Sequence, residues 1–262
     1  MLKNIATERV TSEFLKLICG KDAVKILDAY RETIAVIIPE ITVMFNFNQN
    51  NIHHSYDLWQ HTLTALGTIE PNPILRMTML LHDIGKPSVK TTDNSGQSHF
   101  QGHQLESKKI ADRILHRLRL PTDFINKTLL LIEYHDVRFN GSKKLMKKVM
   151  NVLGTDLTKQ LLEVEYADIS AQSEYQREEK LGYLKTAKTH LNEIIKDNEC
   201  FKLSQLDING KDVLNLGVKE GRDVGNILDY LLMLVVDANV PNKKSILISK
   251  AKEYIYGNQI NK

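Results

Sequence analysis

Apolar residues in this chain recur at intervals of three and four, and that period constrains the fold more than any other feature. Val24, Ile26, Leu27, Tyr30 and Ile34 make one such stripe, and Ile110, Ile114, Leu115 and Leu118 make another. Residues so spaced share one face of an α-helix, whereas a half-buried strand alternates at every second position. No long segment alternates. Turn signals at Cys19-Gly20, Ile38-Pro39, Pro71-Asn72-Pro73, Gly85-Lys86-Pro87, Leu120-Pro121, Asn140-Gly141, Gly221 and Pro241-Asn242 cut the chain into helix-length pieces. The expectation is an all-α fold of about ten or more helices with little sheet.

At 262 residues the chain is one large domain or two modest ones. Thr91 to Ser98 is its one clear polar, glycine-bearing loop. A charged helix ending near Asp197 gives way to Leu203-Ser204-Gln205-Leu206, so the division expected is 1–50, 51–200 and 201–262, the last a small helical tail. With 42% hydrophobic and 26% charged residues, 13 Gly and 6 Pro, neither disorder nor a fibre dominates. A net charge of +3 announces no nucleic acid or anionic membrane, so any anion-binding surface must be local. Cys19 and Cys200 alone make neither a disulfide framework nor a cysteine metal knuckle, which fits a reducing compartment. The first residues lack an apolar signal core and no run reaches the roughly 18 apolar residues of a membrane span. The chain therefore reads as a cytoplasmic protein without a membrane partner.

Nine histidines are present, and several stand where side chains can converge: His61, His82-Asp83, His99, His103 and His135-Asp136, with Asp168 further on. Imidazole and carboxylate together bind divalent first-row metals. Neighbours on a helix point about 100° apart, so His82 and Asp83 reach one ion only at a helix end. The helical run Leu75 to Leu81 followed by Gly85 and Pro87 supplies that end. His99 and His103, four apart, suit one helix face. Asp136 either orients an imidazole or caps a helix. Trp59 and Tyr56 are expected to pack the helix that carries His61.

The order His61, His82-Asp83, Asp168 on a helical background resembles the HD superfamily of metal-dependent phosphohydrolases. The wording narrows the resemblance. His54-Ser-Tyr56-Asp57-Leu-Trp59-Gln-His61, Leu80-Leu-His82-Asp83-Ile-Gly85-Lys86-Pro87 and His99-Phe-Gln-Gly102-His103 are similar to the HD region of bacterial tRNA nucleotidyltransferases, the CCA-adding and poly(A) polymerase family. Glu8 to Ile41 is similar to the helical body before that region, and Leu206 to Asn242 to the family's tail. The resemblance implies an HD-domain helical bundle between helical body and tail segments. The family's catalytic head carries an Asp-x-Asp pair that holds the Mg²⁺ ions of nucleotidyl transfer. No Asp-x-Asp occurs in this sequence. The sequence thus looks like body and tail without the head, and no nucleotide addition is expected of it alone.

The resemblance implies His61, His82, Asp83 and Asp168 as ligands of one divalent ion, with His103 and His135 holding a second bridged by Asp83. Mn, Fe, Co, Ni, Zn and Mg all suit such a set. Asp83 and Lys86 are the implied catalytic pair, Asp83 orienting water and Lys86 placing charge on phosphate. His54, His99, Arg138, Lys143 and Lys144 line the expected substrate path. The run Arg138, Lys143, Lys144, Lys147, Lys148 is either a funnel for polyanions or a solvated face with Leu145, Val149 and Val152 inside. Gly217, Gly221 and Gly225 are helix caps or donors to RNA phosphates. Three functions follow as expectations. The leading one is hydrolysis of nucleotide phosphoesters, including 2′,3′-cyclic nucleotides or RNA ends. The alternative is a non-catalytic tRNA- or RNA-binding module, and the third is a nucleotide-sensing regulator.

Overall fold

The computed structural model describes residues 6–53, 55–219 and 221–259. They form an all-α protein. In chain order the helices are α1 (Thr7–Cys19), α2 (Ala23–Ala29), α3 (Arg31–Ile37), α4 (Leu58–Thr68), α5 (Pro73–Leu81), α6 (Lys86–Val89), α7 (His103–Arg117), α8 (Thr122–Tyr134), α9 (Lys143–Ala171), α10 (Arg177–Lys196), α11 (Gly210–Leu214), α12 (Gly221–Val236) and α13 (Lys244–Gln259). No described helix is long and apolar enough to cross a membrane.

By contact, the chain divides into two compact units that are not contiguous in sequence. One is Met1–Arg138 with Asp156–Lys185, the other Phe139–Thr155 with Thr186–Lys262. Gly154, at φ 72° and ψ 174°, breaks α9 one residue before the chain passes from the second unit back to the first. A left-handed φ of this kind costs a side-chain-bearing residue but not glycine.

The first unit buries Phe14, Ile18, Leu27, Ile34, Ile41, Leu63, Leu66 and Met77. Local chemistry starts its helices where the site needs them. Asp57 caps α4 by accepting from the Gln60 amide at 2.8 Å, and Asn72 caps α5 ahead of Pro73 by accepting from the Ile74 amide at 2.9 Å. Trp59 is fully buried edge-on to Phe45, with ring centroids 4.9 Å apart, and so anchors α4. Tyr56 instead stays half-exposed and takes no part in that core.

Thr91 to Ser98 forms a tight hairpin, β1 (Thr91–Thr92) against β2 (Ser98–His99). Asp93 organises its turn by accepting from the Ser95 and Gln97 amides. His99 therefore lies on a strand, and Gly102 at φ 79° separates it from His103, the first residue of α7. The shared helix face expected of His99 and His103 does not form. The second unit closes on Val213, Val224, Ile227, Leu231, Leu232, Val235 and Leu247.

Candidate metal centre

Four helix ends and one helix interior deliver the side chains. His61 projects from within α4, His82 is the C-cap of α5, His103 opens α7, His135 is the C-cap of α8, and Asp168 lies in the last turn of α9. Asp83 follows His82 in the turn that leads to α6. A helix end leaves its last carbonyls without intrahelical partners. Here imidazoles take them: His82 Nδ1 lies 2.7 Å from the Met79 carbonyl and His135 Nδ1 2.7 Å from that of Ile132. His103 Nδ1 meets the Phe100 carbonyl at 2.9 Å and His61 Nδ1 the Ala171 carbonyl at 3.3 Å.

The pattern has a consequence for the tautomer. A carbonyl only accepts, so each Nδ1 carries the proton and each Nε2 presents a lone pair, or a second proton, to the interior. All four Nε2 atoms converge on two carboxylates. His61 Nε2 is 2.8 Å and His82 Nε2 3.4 Å from Asp168 Oδ1. Asp83 Oδ2 lies 3.2 Å from His82 Nε2 and 3.5 Å from His61 Nε2. Asp83 Oδ1 faces His103 Nε2 at 3.3 Å and His135 Nε2 at 3.6 Å. His103 Nε2 and His135 Nε2 are only 3.1 Å apart. Two groups of ligand atoms result, His61, His82, Asp83 and Asp168, and Asp83, His103 and His135, each with its atoms within 4.8 Å of one another.

The residues fit divalent cations on chemical grounds. His82 Nε2 and Asp83 Oδ1 are buried without a well-formed hydrogen bond, while Asp83 Oδ2 is met by the Lys86 ammonium. Two inward lone pairs 3.1 Å apart repel unless a proton or a metal lies with them. Nitrogen and carboxylate donors whose far ring atoms are held by carbonyls are what first-row divalent metals bind.

Charge is tightly compensated here. Burial disfavours the His82 imidazolium, but Asp83 and Asp168 outweigh it and push its pKa up to about 10. Burial also opposes ionisation of Asp83 and of Asp168, yet the imidazoles, with Lys86 for Asp83, hold both carboxyls well below the ordinary range. Glu165, one turn before Asp168 on α9, is raised well above the ordinary range by burial, with Asp168 and Asp136 adding to the effect.

Lys86 is buried, with Nζ 2.7 Å from Asp83 Oδ2 and donating to Gln49 Oε1 at 3.0 Å. His99 is exposed and pairs with Asp93 at 2.8 Å, outside both ligand groups. His135 turns its Nδ1 to a carbonyl, and exposed Asp136 makes no hydrogen bond to an imidazole among the described residues. Arg138 is exposed at the edge of the first unit. His54 lies outside the described residues.

Lys143 and Lys144 belong to the second unit and are engaged by acids. Lys143 meets Glu199 at 2.5 Å and Glu193 at 3.1 Å, Lys147 meets Glu199 at 2.7 Å, and Lys144 and Lys148 meet Asp237 at 3.1 and 3.0 Å. The buried face of this helix is Met146, Val149, Met150 and Leu153, while Val152 is exposed. Sequence reasoning passed over Glu165, one turn before Asp168 on α9, and Gln172, the first residue past the end of that helix. Gln172 Nε2 donates to Asp168 Oδ2 at 2.8 Å. Gln49 and Lys180 carry no signal of spacing, because they reach the centre from distant parts of the chain.

A family model described as "tRNA nucleotidyltransferase domain 2 putative" matches residues 103–251, and one described as "Probable RNA and SrmB- binding site of polymerase A" matches residues 1–45. A CC-adding tRNA nucleotidyltransferase of Thermus thermophilus is 29% identical over 251 residues, covering 91% of this chain and 55% of that protein. An A-adding tRNA nucleotidyltransferase of Deinococcus radiodurans is 30% identical over 142 residues, 51% of this chain and 32% of the relative. A multifunctional CCA protein of Legionella pneumophila is 27% identical over 161 residues, 56% of this chain and 38% of the relative. The chain thus spans about half or less of the length of these relatives. With more than half of its residues matched by that model, the chain belongs to the tRNA nucleotidyltransferase domain 2 family.

Proposed function

We propose that this chain binds tRNA or tRNA-like RNA as a body-and-tail module of the nucleotidyltransferase type. The observation that carries this reading is the pair of matches, at residues 1–45 and 103–251, to families whose descriptions name RNA or tRNA. The test is fluorescence anisotropy with a labelled tRNA and a single-stranded DNA of equal length at one fixed salt concentration. Affinity for tRNA at least about tenfold above that for DNA is expected, a difference of about 1.4 kcal/mol. Equal affinities overturn the reading.

A second reading, hydrolysis of a phosphoester, is favoured by one specific observation: four imidazole Nε2 atoms facing two carboxylates in a buried centre. His61, His82, Asp83 and Asp168 would hold one divalent ion, and Asp83, His103 and His135 a second. When bound, such ions make water nucleophilic near neutral pH and neutralise phosphoryl charge. Asp83 accepts a hydrogen bond from the attacking water and orients it, while Lys86 keeps that carboxylate ionised. Gln172 holds Asp168 through Oδ2 and leaves Oδ1 to the histidines. The substrates of this reading are nucleotides, 2′,3′-cyclic nucleotides included, and RNA ends. Phosphate release is measured over a nucleotide panel with Mn²⁺, Mg²⁺, Co²⁺ and Ni²⁺. Turnover lost in His82→Ala with tRNA affinity intact supports it. Absence of both metal and turnover in the wild-type protein removes it.

A further inference from the structure

We propose that Lys180, Arg138 and His53 form a subsite for the phosphoryl group of a phosphate ester, beside the His/Asp centre. The proposal deepens the hydrolytic reading and rests on it for the choice of ligand.

Lys180, near the start of α10, is half-buried. Its Nζ donates to Gln172 Oε1 at 2.6 Å and lies 3.3 Å from His53 Nδ1. Gln172 passes the contact on to Asp168 Oδ2. The ammonium is thus two hydrogen bonds from a carboxylate of the centre. No carboxylate lies within ion-pair distance of Lys180 or of Arg138 among the described residues, and Asp168 and Asp136 act on Lys180 only from further away. Removing an ammonium from water without a paired anion is costly, so such a group is normally matched by an acid. Here the groups that touch it are a neutral amide and an imidazole instead. Burial lowers the pKa of Lys180; Asp168 and Asp136 oppose this, and Arg138 and Lys86 add to it, so the net shift is downward. His53 is likewise lowered by burial, Lys180 and Arg138, which leaves a neutral ring whose Nδ1 accepts from Lys180 and whose Nε2 can donate.

The arrangement is held rather than incidental. Ser173 fixes the segment before His53, its amide donating to the His53 carbonyl at 2.9 Å and its hydroxyl to the Ile52 carbonyl at 2.7 Å. Lys86 differs from Lys180 in being matched directly by Asp83. An ammonium 3.3 Å from a neutral imidazole, with the charge of Arg138 near enough to act on both and no carboxylate in ion-pair contact among the described residues, suits an oxyanion that accepts several hydrogen bonds at once. Next to a centre that fits divalent metals, that oxyanion is a phosphoryl group.

The test titrates inorganic phosphate into the full-length protein after chelator treatment, following binding by calorimetry, and separately measures metal content after reloading with Mn²⁺. Lys180→Met and Arg138→Met are each expected to weaken phosphate about tenfold or more. Lys180→Arg should retain most of the affinity, Lys143→Met should match wild type, and Mn²⁺ content should stay unchanged throughout. Phosphate binding unaffected by both Lys180→Met and Arg138→Met, or absent from the wild-type protein, overturns the subsite. Arg138 is exposed, so its variant tests the proposal even if Lys180→Met fails to fold. Absence of turnover with a Lys180-dependent phosphate affinity would leave the subsite standing and remove only the hydrolytic reading.

Discussion

A methyl group at Gly85 would sit 2.5 Å from the Ser107 amide nitrogen and 2.7 Å from the His103 carbonyl oxygen, both backbone atoms of α7. Backbone in a helix cannot step aside as a flexible side chain can, and the Gly85 amide already donates to Ser107 Oγ at 2.9 Å. Gly85→Ala is therefore expected to cost about 1–3 kcal/mol, as overpacking of a tight contact does. The change also pushes on the first turn of α7, which carries His103. Thermal melts of wild type and variant, with Mn²⁺ content alongside, check both effects; a stability unchanged within about 0.5 kcal/mol would show that the helix can shift. A second expectation concerns the paired rings. His103→Ala removes one of the two facing Nε2 atoms and should lower metal content by one ion if both groups of ligands are filled, while His61→Ala acts on the other group. Elemental analysis of the wild type and the two variants reads this directly: two ions in the wild type and one in each variant are expected, and a single ion in the wild type that is lost in both variants would mean that one ion uses both sets. The adjacency of His82 and Asp83 was legible as a helix-end pair, since a turn signal stands just beyond them. The contribution of Lys180 was not, because its neighbour His53 is 127 residues away and no spacing rule connects them.

The first segment of α9, Lys143 to Leu153, shows how far an element can be understood from its own residues. Its lysine run suggested either an anion funnel or a solvated face, and the apolar spacing suggested Leu145, Val149 and Val152 inside. The buried stripe is Met146, Val149, Met150 and Leu153, whose spacing of three, four and seven is the helical face. Methionine fills irregular core space and competes well with a branched residue for it. The acids that engage the lysines, Glu193, Glu199 and Asp237, lie far along the sequence, so no reading of the run alone finds them. Exposed pairs contribute little, but these carboxylates are three-quarters or more shielded at Glu199 and Asp237, at 25% and 21% exposure. The pairs merit about 0.5–1 kcal/mol each. Burial tends to raise the pKa of both acids, but the lysines prevail and leave both lowered from their ordinary values. A carboxyl with a lowered folded-state pKa stabilises above its unfolded value, near 4, and that stabilisation is lost as pH falls through the folded value. The protection factors of α12 amides against hydrogen exchange in the full-length protein, corrected for the intrinsic pH dependence of exchange, should fall below about pH 4. Glu199→Gln with Asp237→Asn should lower protection at neutral pH and flatten its acid dependence. An acid limb that persists in the double variant would assign it to other groups.

At the scale of the molecule, a net charge of +3 leaves little long-range attraction for a polyanion, so RNA affinity depends on which cations are free of acids. Each phosphate neutralised by a lysine or arginine contributes about −0.7 to −0.9 to the slope of log affinity against log salt. A lysine already held by Glu199 or Asp237 gains little from a phosphate, because it must give up one carboxylate to accept the other anion. Lys144→Met with Lys148→Met should therefore leave the salt slope of tRNA binding within about 0.5 of wild type, even though it deletes two positive charges from the densest basic stretch. If both lysines bound phosphates, the slope would shrink by about 1.5. Anisotropy titrations at four salt concentrations separate the two results, and the larger change would mean that the ion pairs with Asp237 open on RNA binding. The same titration with Arg138→Met probes a guanidinium that has no acid within ion-pair distance among the described residues, and there a slope change of about 0.7–0.9 is expected if tRNA reaches the rim of the His/Asp centre. The contrast between paired lysines and an unpaired arginine thus converts a count of positive charges, which the sequence offers, into a map of the charges that an RNA backbone can use.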